Sequence, residues 1–171
     1  MQTVVVYDSV YGNTEQIAVA VTQAIGRAAG AGAKERVATF RVNDVRPAHL
    51  QGVKLLIVGS PTHRFRPTES IARFLASIPD GGLKGVKVMA FDTRVSIEDK
   101  HSRLLNLFVK LSGFAAQPIA KALKKKGGTL LVPPEGFYVD GTEGPLKDGN
   151  LARAAVWASN AARGLPHVMV V

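Results

Sequence analysis

The stretch that decides the fold reads Thr3-Val4-Val5-Val6-Tyr7-Asp8-Ser9-Val10-Tyr11-Gly12-Asn13-Thr14. Its β-branched first half favours a strand over residues 3–7, and its second half consists of small and hydrogen-bonding residues that favour a turn. The apolar residues that follow recur at the spacing of one helical face, at Ile17, Val21, Ala24, Ile25 and Ala28. The chain therefore begins with a strand, a polar turn and a helix that runs from Asn13 to about Ala29.

The turn over residues 9–14, called the 9–14 turn below, has the properties of an anion site. A helix N-terminus carries unpaired N–H groups and the positive end of the helix dipole. Hydroxyl and amide groups add further donors, and the turn contains no lysine or arginine. A phosphate bound here would therefore be held by neutral donors. The alternative interpretation is an ordinary strand-to-helix turn without a ligand.

Strand-like and helix-like segments alternate along the rest of the chain. Strands are predicted over residues 35–42, 53–58 and 86–91, and a last strand over 129–132 and 137–139 is interrupted by Pro133 and Pro134. Helices are predicted over residues 68–78, around Ile119, and over 150–163, the last with Leu151, Ala155, Ala158 and Ala162 facing inward. The alternation predicts an α/β fold with a doubly wound, five-stranded parallel sheet and helices on both faces.

Composition places the chain among globular proteins. Its 171 residues, 46% of them hydrophobic, suffice for one domain over residues 1–171. The sequence shows no apolar run near the roughly 18 residues of a membrane span and no signal-peptide pattern, so we expect a cytoplasmic location. The absence of cysteine excludes disulfides and thiol chemistry, and the four dispersed histidines do not predict a metal site.

The net charge of +9 is unevenly distributed. Residues 99–126 contain seven basic residues and one acidic residue, a net charge of +6. We predict that this basic segment forms a docking surface beside the ligand site for an acidic partner or an anionic membrane surface. Nucleic acid is disfavoured, because no aromatic residues for base stacking are interleaved with the charges. The alternative is a solvated helix end, with the stripe Leu104, Leu105, Phe108 and Leu111 buried in the core.

Ligands of doubly wound sheets bind at the carboxyl ends of the strands. Three segments leave those ends, residues 9–14, 60–67 and 92–97, and we expect them to converge. The sequence lacks the glycine-rich motifs of nucleoside triphosphate and dinucleotide sites and the Gly-x-Ser-x-Gly elbow of hydrolases. The acid that a phosphoacceptor domain requires after the third strand is replaced by Gly59 and Ser60. One phosphate turn and two further loops suit a mononucleotide.

At this point the sequence resembles the flavodoxin family. Residues Ser9-Val10-Tyr11-Gly12-Asn13-Thr14 are similar to the family's Ser/Thr-x-Thr-Gly-x-Thr signature for the FMN phosphate, with Tyr11 in place of threonine, as in quinone-reductase relatives of flavodoxin. Gly59-Ser60-Pro61-Thr62 resembles a flavin-flanking loop of those relatives, and Gly144-Pro145-Leu146 resembles another family element. The resemblance spans the whole chain.

The resemblance implies FMN as the cofactor and assigns three groups of contacts. The phosphate would be bound by Ser9, Tyr11, Gly12, Asn13 and Thr14. One edge of the isoalloxazine ring would be lined by Ser60, Pro61, Thr62 and His63, with Phe65 and His63 as candidate stacking residues. The other side would be formed by Phe91, Asp92, Thr93 and Arg94. The alternatives are a proline-containing turn in the second group and a local ion pair in the third.

The family resemblance also bears on the reaction. Flavodoxins that only carry electrons are usually acidic, whereas this chain is basic and has Arg64, Arg66 and Arg94 in its predicted ligand loops. We therefore expect a redox protein that transfers electrons to a partner protein or reduces a small flat acceptor such as a quinone. Carrier and oxidoreductase, including a protoporphyrinogen dehydrogenase-like enzyme, both remain open, as do peripheral membrane contact and oligomeric state. The competing hypothesis is a flavin-free module that binds a partner through its basic face.

Overall fold

Buried strands form the centre of one parallel sheet. The computed structural model describes residues 2–28, 36–95 and 114–163. Within them the strands are β1 (Gln2–Tyr7), β2 (Arg36–Arg41), β3 (Leu55–Pro61), β4 (Lys87–Val95), β5 (Thr129–Leu130) and β6 (Glu135–Val139). The helices are α1 (Asn13–Ala28), α2 (Glu69–Ser77), α3 (Ala116–Lys125) and α4 (Asn150–Ala162), and two 3₁₀ turns span Val42–Asp44 and Pro47–Leu50.

The sheet has the strand order β2-β1-β3-β4-β5, and all of its neighbouring strands run parallel. β6 lies on the same side of β4 as β5, because Lys87 is opposite Thr129 while Phe91 is opposite Glu135. The predicted last strand is therefore present in two pieces, separated at Pro133 and Pro134. The direction of winding reverses between β1 and β3, which places the expected ligand site above these two strands.

Two hydrophobic cores cover the two faces of the sheet. Alternate residues of the central strands point to opposite faces, so Val4 and Val6 pack with α2 and α3, while Val5 and Tyr7 pack with α1 and α4. The same alternation in β3 and β4 explains their continuous apolar runs, because both faces of each strand are buried. The predicted doubly wound α/β fold is confirmed.

β4 continues four residues beyond its predicted end at Phe91. Residues 92–95 pair with β6 on one side, and Asp92 and Thr93 pair with the end of β3 on the other. The prediction of a loop here was wrong because Asp92 and Arg94 are charged, and charged residues are rarely buried unless they are paired. Their mutual ion pair allows both residues to enter the sheet.

The inward face of α4 also differs from the prediction. Leu151 is 45% exposed and Ala162 is exposed, whereas Trp157 and Ala158 are buried in the core. The faces of an alanine-rich helix differ little in hydrophobicity. Burial of the large aromatic side chain of Trp157 therefore decides which face of α4 is turned toward the core. Trp157 packs at the edges of the Phe91 and Phe137 rings, at centroid distances of 6.3 and 6.1 Å.

Candidate ligand site at the carboxyl ends of the strands

The three expected segments converge on one cavity. The cavity has a volume of about 220 Å³. It is lined by Ser9, Val10, Tyr11, Asn13, Thr14, Pro61, Thr62, His63, Arg64, Thr93, Arg94, Val95, Val139 and Thr142. The predicted convergence is therefore confirmed for the parts of these segments that the structure describes; residues 96 and 97 lie outside them.

The 9–14 turn presents a row of free backbone donors. Within the described part of the chain, no hydrogen-bond partner is found for the N–H groups of five consecutive residues, Val10, Tyr11, Gly12, Asn13 and Thr14. The N–H groups on either side are occupied: Ser9 donates to Asp8, and Glu15 donates to the Ser9 hydroxyl oxygen. Gly12 has a φ of +83°, a conformation that glycine adopts without steric cost. The turn thus gathers, at the start of α1, donors that the described residues leave unsatisfied.

Side chains of the turn are fixed by neighbouring segments. The Thr14 and Thr93 hydroxyl oxygens lie 2.7 Å apart in a buried hydrogen bond that joins α1 to β4. The Asn13 side-chain amide donates to the Glu143 carbonyl oxygen at 2.9 Å. This contact requires glycine at position 144, because a Cβ there would lie 2.5 Å from the Asn13 amide nitrogen. Gly144, noted in the sequence for its family resemblance, therefore braces the turn.

Arg41, at the end of the edge strand β2, is a site residue that sequence reasoning missed. Its guanidinium donates to the Ser9 carbonyl oxygen and lies 3.9 Å from the Asp8 carboxylate. The 9–14 turn itself contains no cation, yet the parallel register of β1 and β2 places Tyr7 opposite Arg41. The strand order 2-1-3 was the only signal that could have revealed this neighbour.

The residues of the second predicted group, 60–63, have two different roles in the structure. Ser60 is fully buried, and its hydroxyl donates to the Pro61 carbonyl oxygen and accepts from the Thr68 N–H. It therefore shapes the loop and does not line the cavity. Pro61, Thr62 and His63 do line the cavity, and the Thr62 hydroxyl accepts from the Ala115 N–H at 3.1 Å.

Residues 63–66, called the 63–66 turn below, form a tight hairpin at the cavity edge. The backbone groups of His63 and Arg66 exchange two hydrogen bonds of 2.9 Å each. Arg64 and Phe65 occupy the centre of the turn with φ values of +48° and +66°. Phe65 does not line the cavity; its ring packs against Phe114 at a centroid distance of 6.2 Å. The aromatic residues that line the cavity are Tyr11 and His63.

The end of β4 carries a saturated polar network. The Asp92 carboxylate is fully buried and accepts from the Arg94 Nε and Nη2 at 2.5 and 2.8 Å, and from the Ala116 N–H at 2.8 Å. The Arg94 guanidinium also stacks 3.9 Å above the Phe114 ring. Burial raises the pKa of Asp92, while Arg94 and the bonds from Ala116 and Thr62 oppose that rise. Asp92 therefore lies beneath the cavity lining, and the charge of Arg94 is paired.

Phe91 lies in the hydrophobic core beneath the cavity and does not line it. Its ring packs against Phe137 and Trp157 in the core and fills the space above Gly59, where a Cβ would lie 2.1 Å from the ring. Glycine at position 59 is thus required by this close approach. Among the third predicted group, Thr93 and Arg94 line the cavity, whereas Phe91 and Asp92 support it from behind.

Only part of the basic segment lies within the described residues. Lys100, Arg103 and Lys110, with the apolar stripe, lie outside the described residues. The lysines at the C-terminal end of α3 lie at the amino ends of the strands, because the Lys126 carbonyl oxygen accepts from the Leu83 N–H and Thr129 pairs with the first residue of β4. Lys124, Lys125 and Lys126 are therefore at the opposite end of the sheet from the cavity. Their predicted position beside the ligand site was wrong, since α3 runs antiparallel to the strands it connects.

Neither a spanning helix nor a metal cluster is found in the described ranges. No helix there combines the length and apolar character needed to cross a membrane. The same ranges contain no group of three or more His, Asp or Glu side chains arranged to hold a metal ion.

Comparisons with known proteins identify the fold. The sequence matches no protein-family model and no curated protein. Oxidised flavodoxin 1 from Bacillus cereus is similar with a TM-score of 0.72 at 16% identity, over 96% of this chain and 99% of that chain. A flavodoxin from the domain Archaea gives a TM-score of 0.66 at 22% identity, over 95% of this chain and 97% of that chain. A WrbA-like flavodoxin from Agrobacterium tumefaciens gives 0.68 at 19% identity, over 95% of each. The chain has the flavodoxin-like fold.

Proposed function

We propose that this chain, which has the flavodoxin-like fold, binds FMN in the cavity at the carboxyl ends of its strands and acts as a redox protein. The observation that carries the proposal is the run of five backbone N–H groups, from Val10 to Thr14, without partners among the described residues. Backbone donors at a helix N-terminus suit a phosphate. A ligand oxygen would satisfy donors that the protein leaves open.

The donor set fits the phosphate of FMN. The Ser9 hydroxyl accepts from Glu15, and its own proton remains available to a ligand. Arg41 places a positive charge behind the turn through its bond to the Ser9 carbonyl oxygen. The phosphate would be held by the backbone donors of the turn and by Ser9, with Arg41 lowering the cost of binding an anion.

The remaining cavity residues fit a flat ring. Tyr11 offers an aromatic face, and Pro61, Thr62 and His63 line the cavity opposite the end of β4. FMN, when bound, supplies the electron-transfer chemistry. The protein's residues bind, orient and partly exclude water from the ring, and the saturated Asp92–Arg94 pair holds the wall of the cavity in place.

The electron acceptor in this proposal is a redox partner protein or a small flat molecule such as a quinone. Val10 and Tyr11 are 63% and 52% exposed at the cavity edge, and Arg64 and Arg66 are exposed beside them. An apolar and cationic edge differs from the acidic rim expected of a pure carrier. It favours an oxidoreductase that reduces a small acceptor.

Reconstitution with FMN tests the proposal. The purified chain is incubated with excess FMN, the free ligand is removed, and the visible spectrum is recorded. We expect a yellow protein that retains one FMN per chain and shows a shifted flavin band. A colourless protein after this procedure would contradict the proposal.

A flavin-free partner-binding module is the second candidate. It is favoured by the exposed lysines at the amino ends of the strands, among them Lys54, Lys84, Lys87, Lys124 and Lys125. These lysines lie away from the cavity, so a partner could bind there whether or not FMN is present. Loss of FMN binding together with salt-sensitive binding of an acidic protein would favour this second function.

A further inference from the structure

We propose that the 63–66 turn recognises a negatively charged group on the acceptor, so that the preferred acceptor is a flat anion. This inference rests on the proposed function and assigns the substrate class of the same site. Three observations support it: the conformation of the turn, the two charges it carries, which have no carboxylate partner among the described residues, and the fixed aromatic contact beneath it.

The turn holds a conformation that its residues do not favour. Arg64 and Phe65 both have positive φ, where turns of this type normally carry Asn, Asp or Gly. A bulky residue in this conformation costs free energy, and such strain is concentrated at functional sites. The two hydrogen bonds between His63 and Arg66 hold the turn closed against that strain.

The strained turn carries two cations, one of which lines the cavity. Arg64 lines the cavity and Arg66 lies two residues further on, and both are exposed. In residues 2–28, 36–95 and 114–163, neither guanidinium has a carboxylate partner. The other arginines around the cavity differ, because Arg41 lies against Asp8 and Arg94 is paired with Asp92.

Charge is arranged unevenly around the cavity. Two carboxylates, Asp140 and Glu143, belong to the segment after β6 that contributes Thr142 to the cavity lining, and Asp140 lies 3.9 Å from Lys147. Around the cavity, the two guanidiniums without a carboxylate partner among the described residues are both on the 63–66 turn. An anionic group on the acceptor would face Arg64 and Arg66, while the flat part of the molecule would lie at the open edge of the FMN site, where Tyr11 is exposed.

The turn is anchored well enough to act as a recognition element. Phe65 packs against Phe114, and Phe114 lies under the Arg94 guanidinium. This chain of contacts joins the turn to the buried network at the end of β4. The cationic side chains are therefore presented from a fixed base, which lowers the entropic cost of binding.

The experiment uses two quinones that differ in charge. Naphthoquinone sulfonate is anionic and menadione is uncharged. Binding of each to the oxidised, FMN-loaded protein is measured by difference spectroscopy, and the rate at which each oxidises the dithionite-reduced protein is measured in stopped flow. Each quinone takes up two electrons from the protein and two protons from solvent and leaves as the hydroquinone.

The test variant is Arg64→Gln with Arg66→Gln, which keeps an unbranched polar side chain and the strained backbone but removes both charges. The control variant is Lys124→Gln with Lys125→Gln, which removes the same charge at the opposite end of the sheet. We expect the ratio of sulfonate to menadione affinity to fall about tenfold in the test variant at low salt. The ratio of the rates should fall similarly, and the control should keep both ratios.

Three outcomes would overturn the inference. An unchanged ratio in the arginine variant would show that the turn does not recognise the anion. An equal fall in the lysine control would show that the preference for the sulfonate depends on the net charge of the protein and not on the 63–66 turn. Failure of the wild-type chain to bind FMN would overturn the proposed function as well, whereas normal FMN binding with an unchanged ratio overturns only the anionic acceptor.

Discussion

The 9–14 turn and the end of β4 line the same cavity but differ in how far their polar groups are hydrogen-bonded within the protein. The 9–14 turn leaves five backbone N–H groups without partners among the described residues, whereas the end of β4 satisfies the buried Asp92 carboxylate with three bonds from Arg94 and Ala116. Unpaired donors cost free energy unless water or a ligand satisfies them. The comparison indicates that the turn is built to receive a ligand and that the β4 end is built to hold the framework.

The comparison also changes the expected role of Arg94. The sequence placed Arg94 in a predicted ligand loop, on one side of the expected flavin ring. In the structure its side chain is 10% exposed and forms a bidentate ion pair with Asp92. Its charge is compensated locally, so we expect Arg94 to affect stability more than redox potential.

The largest expected effect comes from breaking the ion pair and hydrogen bonds of Asp92 at the end of β4. Asp92→Asn removes the charge that pairs with the buried Arg94, and an unpaired buried charge costs about 3–5 kcal/mol. We expect the free energy of unfolding in urea to fall by this amount. Asp8→Asn is the matched control: its ion pair with the half-exposed Arg41 is 3.9 Å long, and its loss should cost at most about 1 kcal/mol. Equal losses in the two variants would contradict the framework role of Asp92.

A glycine beside the network gives a smaller effect. A Cβ at position 136 would lie 2.1 Å from the Arg94 guanidinium carbon, so Gly136→Ala should displace Arg94 and destabilise the protein by about 1–3 kcal/mol. At position 141 a Cβ meets nothing within 4 Å, and Gly141→Ala should change stability by no more than about 0.5 kcal/mol. Thermal unfolding of both variants checks this. A stable Gly136→Ala protein would mean that the network can rearrange freely.

The backbone donors of the 9–14 turn are tested with the variant Gly12→Ala, and Gly85→Ala is its control. Both glycines have positive φ, +83° and +76°, and a Cβ at either meets nothing within 4 Å. Each alanine should therefore cost about 1 kcal/mol of stability through backbone strain alone. Only Gly12→Ala should also weaken FMN binding, by about tenfold, because it shifts the donors of the turn. Equal FMN affinity in the two variants would remove the turn from the binding site.

Much of the fold was predictable because it depends on local patterns. The strand, turn and helix at the start of the chain, the apolar runs of β3 and β4, and the interruption at Pro133 and Pro134 are all visible in the sequence. The convergence of the three segments followed from the general topology of doubly wound sheets. The position of Lys124 at the amino end could also have been deduced, because crossover helices run antiparallel to their strands.

Other features depend on contacts between distant residues and were not predictable. The continuation of β4 requires the pairing of Asp92 with Arg94 and the arrival of β6 beside it. The support of the 9–14 turn by Arg41 depends on the strand order, and its contact with Glu143 spans 130 residues. The location of Phe91 in the core depends on the extension of β4, which carries Thr93 on the same face to the cavity and leaves Phe91 packed against Phe137 and Trp157.

The most direct test of the account compares FMN with riboflavin, which lacks the phosphate. Apoprotein is titrated with each ligand, and binding is followed by quenching of flavin fluorescence. If the donors of the 9–14 turn hold the phosphate, hydrogen bonds to a charged group at about 1.5–3 kcal/mol each should make FMN bind about 100-fold or more tightly than riboflavin. Equal affinity for the two ligands would show that the open N–H groups of Val10–Thr14 do not bind phosphate and would contradict the account.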